Sequence, residues 1–353
     1  MRTTDGRVPD RAEPVSPGLT RPGAVPGQGV DAAVAAHYGD PMREQRLLLE
    51  GLASVDLSHR GVVTVDGPDR LKWLHSMTTQ HLTDLAPGEG TEALVLSPKG
   101  HIEHALHLVD DGQRSWLSVE PGTAPALVAW LESMRFMLRV EPADRTGEYA
   151  VLGEPIDRPA ADGEPPTWVD PWPRLGPDTA AYASADPHPG AGRRWREVIL
   201  QRATLDDDLA ERELAGMWAA EALRVQAWRP RLGFETDHRT LVHEVDWLRT
   251  AVHLHKGCYR GQETVARVHN LGRPPRRLVF LHLDGSGHVL PQDGAPVWTG
   301  ERQAGHLTTV VRHHELGPIA LAIVKRSIPT DQTLRIDTDS GPVAAAQTVI
   351  VDP

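Results

Sequence analysis

The stretch "HLHKGCYRGQETVARVHN", from His253 to Asn270, holds the only cysteine of the chain, Cys258. Lys256 and Arg260 flank it, and Gly257 and Gly261 bracket it. Val252 and Leu254 alternate with His253 and His255, which predicts a strand running into a turn at Lys256-Gly257. "GQETVARVHN" predicts a helix opening at about Gly261. A thiol in the turn ahead of a helix meets free amide hydrogens, and here two cations as well, all of which favour the thiolate. The glycines permit unusual backbone angles or let a ligand approach the main chain. These residues describe a reactive or ligand-binding thiol, and they equally describe a small buried apolar side chain that happens to be cysteine. His255 is a poor base for it, because Cys–His pairs usually come from distant segments.

Other residue types that do chemistry are weaker signals. His101, His104 and His107 in "GHIEHALHL" have metal-ligand character, but on a strand His104 points away from the other two. Arg60 and Arg224 suit an anionic ligand tail through bidentate geometry, and a salt bridge to a neighbouring carboxylate fits each as well. Gly88-Glu89-Gly90 follows no strand and precedes no helix, so it is no dinucleotide loop. Trp73, Trp130 and Trp218 fall on amphipathic helices, where core packing is the simpler role. "GRPPRR", residues 272–277, reads as a basic linker.

The whole chain bounds these options. Its 353 residues are too many for one compact core and predict two or three domains. Apolar residues make up 40% and charged residues 24%, ordinary for a soluble protein. The formal charge of -11 gives no general electrostatic case for DNA binding. A single cysteine excludes an internal disulfide and any zinc or cluster site built from several cysteines of one chain, which fits a reducing cytoplasm. No metal is expected. Residues 1–30, rich in Pro, Gly and charge, lack the apolar core of a signal peptide and predict a disordered tail. No run of about 18 apolar residues occurs, so no membrane span or membrane partner is expected.

The elements that must position these groups follow from periodicity. Residues 31–270 mix strands and helices. Val63 and Val65 mark a half-buried strand, Leu71, Leu74 and Met77 an amphipathic helix, and "EALVLSPKGHIEHALHLV" two strands around a tight turn. "APALVAWLESMRFML" predicts another helix, and "DDDLAERELAGMWAAEALRVQAW" a long one opened by aspartates. Residues 153–194 read as a Pro/Gly-rich loop or weakly structured insertion. From 276 to 353 short β runs at regular spacing predict a small β-barrel.

"KGCYRGQETVAR" resembles the K-G-C-Y-x-G-Q-E signature of YgfZ-type proteins, folate-binding relatives of the glycine-cleavage T-protein that assist iron–sulfur cluster assembly. The signature covers Lys256, Gly257, Cys258, Tyr259, Gly261, Gln262 and Glu263. "RGVVTVDGPDRLKWLHSMTTQHLTDLAPGEG", "ALVLSPKGHI", "EALRVQAWRPRLGFETD" and "IALAIVKR" resemble further blocks of that family, extending the match over about residues 51–328. The resemblance implies an α+β fold of two folate-binding lobes plus a C-terminal β-barrel, three-lobed around a central cavity that takes tetrahydrofolate. It places the Lys256–Tyr259 stretch near that cavity and makes Cys258 the functional thiol. It implies folate and iron–sulfur client or assembly proteins as partners, and Arg60, Arg224 and His81 as folate contacts. By the same resemblance, His81 stands where T-proteins carry an aspartate in the segment matching "MTTQHLTDL", with Asp84 one turn away. A histidine exchanges protons near neutral pH but supplies no fixed negative charge. The alternative is an aminomethyl- or methyltransferase of the T-protein type with altered acid–base residues.

Overall fold

The computed structural model describes residues 14–286 and 289–352. Residues 1–13 of the expected tail lie outside it, but the rest of that segment is built into the fold. Ser16 caps a short 3-10 turn, Pro17–Thr20, and bonds Asp56. Strands β1 (Val25–Pro26) and β2 (Ala35–His37) pair with each other. Asp31 reaches across 200 residues of sequence to Arg231. Richness in Pro, Gly and charge led to the expectation of disorder, and over residues 14–30 it failed because contacts such as Ser16 to Asp56 hold the segment, which composition does not register.

Beyond α1 (Pro41–Leu49), whose N-cap is Asp40, two sheets interleave along the chain. Strand β3 (Ser54–Asp56) opens the second sheet, and β4 (Gly61–Asp66) already belongs to the first. Helix α2 (Arg70–Met77) then leads to β5 (Gly90–Leu96), β6 (Ile102–Asp110) and β7 (Arg114–Val119), and α3 (Ala124–Ser133) to β8 (Glu141–Asp144). The first sheet runs β5-β6-β7-β4-β8. Its inner face buries Val63, Val65, Leu106 and Leu117 against Trp73 and Leu74 of α2 and Leu127 and Leu131 of α3.

Strands β9 (Tyr149–Glu154), β10 (Thr167–Val169), β11 (Arg196–Gln201) and β12 (Leu214–Ala215) complete the second sheet in the order β10-β11-β9-β3-β12. The proline-rich insertion is therefore structured: it carries β10 and buries Trp168, Asp170 and Trp172. The long helix expected from "DDDLAERELAGMWAAEALRVQAW" is two, α4 (Leu205–Ala210) and α5 (Met217–Gln226). Gly216 separates them where a Cβ would lie 2.3 Å from the Ala36 carbonyl oxygen. Helix propensity carries across that stretch, but the close approach to β2 interrupts it.

After α6 (Leu248–Ala251) and α7 (Gln262–Leu271) comes the barrel. Its strands are β13 (Arg276–Leu283), β14 (Pro296–Thr299), β15 (Arg302–His313), β16 (Gly317–Lys325), β17 (Leu334–Thr338) and β18 (Gly341–Val349). They close in the order β13-β16-β15-β14-β17-β18, as the short β runs predicted. A shared core of Leu94, Ile102, Trp228, Trp247, Tyr259, Phe280 and Val311 joins this barrel to the first sheet and α5. No helix is long and apolar enough to cross a membrane among the described residues.

Asp31→Ala would leave Arg231 short of its bidentate partner in a buried site. Breaking such a pair costs about 3 kcal/mol, and a lowered urea midpoint at unchanged slope is the expected outcome. A change under about 0.5 kcal/mol, the size of an ordinary surface substitution, would mean that the N-terminal segment is not docked.

Candidate functional site

A cavity of about 70 Å³ lies where both sheets, α5 and the residues before α6 meet. Beside it lies a cleft of about 600 Å³ bounded by the N-terminal segment, α5 and barrel strand β15. The two share Glu120, Met217, Glu221 and Leu232 as walls. Together they reach the size range of small-molecule sites.

Five arginines line the inner cavity, and each is matched by carboxylates. Arg231 bonds Asp31 at 2.7 Å and Glu120 at 3.0 Å, with Glu221 at 3.5 Å. Arg224 holds Glu221 and Glu235 at 2.8 and 2.7 Å, and Thr309 of the barrel at 3.0 Å. Arg229 forks onto Glu92 at 2.6 and 3.2 Å and lies 3.2 Å from Asp170, which also takes Arg193. Arg60 bonds Glu120 at 2.8 Å and Ser118 at 2.9 Å, with Glu197 at 3.6 Å. Burial alone would raise the Glu197 carboxyl, but Arg60 and His107 hold it well below the usual carboxylate range. Burial acts the same way on Asp31, where the His59 hydrogen bond and Arg231 prevail.

Three tryptophans supply apolar walls, Trp168, Trp195 and Trp247. Trp168 stacks flat on His107, ring centroids 3.8 Å apart and planes within 4°. Trp195 lies over Gly153, where a Cβ would sit 2.4 Å from the indole, and the Arg193 guanidinium covers it at 5.1 Å. Trp218, expected in a core, is 54% exposed and lines the outer cleft.

The structure brings Arg60 and Arg224 to this cavity, both buried and both paired. His81 is elsewhere. It sits in the loop after α2, its Nε2 3.0 Å from Asp84 and 2.9 Å from Thr83, its ring beside His75 and His253. Two imidazoles do line the cavity, His59, whose Nε2 lies 2.9 Å from Asp31, and His107, for which alternation along β6 was the available signal. His104 belongs to neither group; burial lowers its pKa to about 4. No three His, Cys, Asp or Glu side chains converge as a metal set among the described residues.

The cysteine loop also departs from expectation. No strand forms at 252–255, because α6 ends there and Leu254 and His253 bond Asp178 and Thr79 singly. Lys256 is no neighbour cation for the thiol: its buried ammonium donates to the carbonyls of His75 and Thr78 at the end of α2, and burial lowers its pKa to about 7. Arg260 turns to Glu103 at 3.1 Å. Tyr259 packs in the shared core. Gly261 has φ +84°, and a Cβ there would meet the Ser97 carbonyl at 2.6 Å, so glycine is required. Gln262 opens α7 and Glu263 places a carboxylate in its first turn, complementing the dipole. Gly257 faces only His75 within 4 Å. Cys258 itself is exposed. None of Lys256 to Glu263 lines the cavity or its cleft. Tyr259 shares its buried cluster with Trp247 and Ala105, which do line the cavity. Glu244 and Arg276 bond each other at 2.8 Å, so both serve the barrel junction.

Residues 276–351 match the glycine cleavage T-protein C-terminal barrel domain. A chloroplastic protein of Arabidopsis thaliana named as a transferase is 27% identical over 284 residues, 73% of this chain and 62% of its own length. An aminomethyltransferase of Symbiobacterium thermophilum is 27% identical over 295 residues, 77% and 78% of the two chains. The mitochondrial iron-sulfur cluster assembly factor IBA57 homolog of Mycosarcoma maydis is 26% identical over 249 residues, 66% and 58%. The chain thus spans under two thirds of the first and third of these relatives. The glycine cleavage system aminomethyltransferase T of Bartonella henselae superposes with TM-score 0.73 at 18% identity, covering 95% of this chain and 94% of that one, which shows the fold. The chain is thus similar along most of its length to aminomethyltransferases and, over a shorter span, to an iron–sulfur assembly factor.

An exposed Cys258 must react with a thiol reagent in native buffer, one equivalent per chain, before any denaturant is added. Lys256→Met keeps the packed stem but removes two hydrogen bonds, so it should lower stability by about 1–3 kcal/mol and speed labelling as the loop loosens. Labelling that waits for unfolding would contradict the exposed thiol.

Proposed function

We propose that this chain binds a reduced folate, tetrahydrofolate or a close derivative, in the central cavity and cleft, and that it acts there on one-carbon groups carried by amines, as a T-protein-type transferase. The observation that carries this is the pairing of flat aromatic walls with a mixed charge set. Trp168, Trp195 and Trp247 line the cavity with aromatic surface, while Glu120, Asp170 and Glu197 stand among arginines within it. A pterin needs both: its amino and ring N–H groups donate to carboxylates, and its carbonyl accepts from guanidinium. The folate tail, a benzoyl group ending in glutamate, would extend into the larger cleft beside Trp218 and Phe234. The likeness to aminomethyltransferases adds support for the transfer chemistry.

A second reading, support of iron–sulfur cluster assembly, has its own observation. The single thiol is on the surface and outside the cavity, suited to chemistry with another macromolecule rather than with the bound folate. One thiol cannot hold a cluster alone, since clusters take four protein ligands. Cys258 would therefore contribute one ligand to a site shared with a partner. The similarity to an assembly factor points the same way.

Calorimetric titration with tetrahydrofolate should give saturable micromolar binding, weakened about tenfold or more by Trp195→Ala, or ~1.4 kcal/mol. No heat and no saturation with folded wild-type protein would remove the folate reading. Cys258→Ala should leave that titration unchanged. In cells lacking the wild-type protein, it should depress iron–sulfur enzyme activity if the second reading holds; full activity would discard it. Folate-dependent demethylation of a methylated amine by the purified protein would favour the transferase.

A further inference from the structure

We infer that the outer cleft takes a cationic alkylated amine that bears no carboxylate, held beside the folate tail by Asp293 and Trp218. The inference rests on the folate reading and names the chemical class of its second ligand. Four carboxylates line the cleft, Asp31, Glu120, Glu221 and Asp293, and no lysine, arginine or histidine lines it among the described residues. The first three are paired from the inner side. Arg60, Arg224 and Arg231 hold them, and those guanidiniums line the inner cavity rather than the cleft. Asp293 is different. It is exposed in the turn ahead of β14, and its Oδ1 accepts the Val310 N–H at 2.9 Å. It makes no ion pair among the described residues, and the like charges of Glu235 and Glu221 act on it, with Arg224 opposing them.

Trp218 gives the cleft its open aromatic surface. Its ring lies 4.9 Å from that of His37 with the planes tilted by 41°, and the rest of it is available. The other ring of the cleft, Phe234, is already covered by Arg231 at 4.1 Å. An indole and an unpaired carboxylate lining one cleft suit an alkylated ammonium: the ring takes the N-alkyl groups and the positive charge, and the carboxylate accepts the N–H. Charge balance supplies the exclusion. An N-methylated amino acid would set its own carboxylate among four others with no cation lining the cleft, and like charges so confined repel. A simple methylated amine brings positive charge alone. The benzoylglutamate tail carries carboxylates into the same space, so the amine is also the counter-charge that the tail lacks there. By linkage, each ligand then tightens the other. At about 600 Å³ the cleft has room for both. The formal charge of -11 draws a cation and repels an anion at longer range.

Calorimetric titration of tetrahydrofolate at neutral pH, with dimethylammonium chloride, sarcosine or sodium chloride present at matched ionic strength, tests this. Dimethylammonium should tighten tetrahydrofolate binding by about fivefold or more, while sarcosine does no more than the salt. Asp293→Asn keeps the oxygen that accepts from Val310 and removes the charge. With melting unchanged, it should raise tetrahydrofolate affinity in the absence of amine and erase the dimethylammonium effect. No tightening by dimethylammonium would overturn the inference, as would equal tightening by sarcosine or by sodium chloride, or a full amine effect in Asp293→Asn. Saturation-transfer NMR of dimethylammonium on the folate-free protein keeps the two readings apart. A saturable signal that Asp293→Asn abolishes supports the amine subsite, and no such signal with wild type overturns it. Absence of wild-type tetrahydrofolate binding in every buffer would instead overturn the folate reading beneath it.

Discussion

A buried guanidinium must be paired, because the cost of removing it from water is recovered only by close, well-aligned anions. Arg231 meets that constraint with partners from three parts of the molecule: Asp31 of the N-terminal segment, Glu120 after β7, and Glu221 of α5. Its own backbone N–H donates to Glu235, and Glu235 accepts from Thr308 and Thr309 of the barrel. First lobe, second lobe, barrel and N-terminal segment are thus tied at one place. Apolar packing also runs between the lobes, through the core that joins the barrel to the first sheet and α5, and this polar junction adds the charged ties around the cavity.

The same junction shapes the chemistry on offer. Its arginines are satisfied internally, so a ligand does not meet a bare cationic pocket. It meets aromatic faces and the free edges of carboxylates already held in orientation, which is the preorganised polar setting that favours a fixed pose. Low local dielectric strengthens each of these contacts. The cysteine loop belongs to a different layer. Lys256 closes the end of α2, Tyr259 enters the core and Gly261 allows the approach to Ser97, so the motif residues build a platform that leaves the sulfur facing outward.

Periodicity and turn chemistry made the α+β elements, the barrel and the helix at Gln262 legible in the amino-acid order, since alternation and glycine placement are local signals, while the division into two lobes came from the family resemblance. The start of α7 after Gly261 is one such success. What was not legible is long-range. Nothing near Asp31 announces Arg231, and the disordered tail was a reasonable inference from composition alone. Lys256 looked like a companion of Cys258 because they are adjacent in sequence, yet adjacent side chains diverge and the lysine serves a helix end 178 residues earlier. His81 was taken from the family resemblance of its segment; His107, one of two imidazoles at the cavity, was set aside with His101 and His104 because only its metal-binding capacity was weighed. Trp168 and Asp170 were hidden in an insertion whose prolines suggested little order.

The most direct trial of this account is a crystal structure of the protein grown with tetrahydrofolate. The expected result is a pterin ring among Trp168, Trp195 and Trp247, with its amino edge on a cavity carboxylate and its glutamate tail in the cleft beside Trp218. A folate seated at the Cys258 loop, or a cavity that excludes folate at saturating concentration while the ion pairs stay closed, would contradict it.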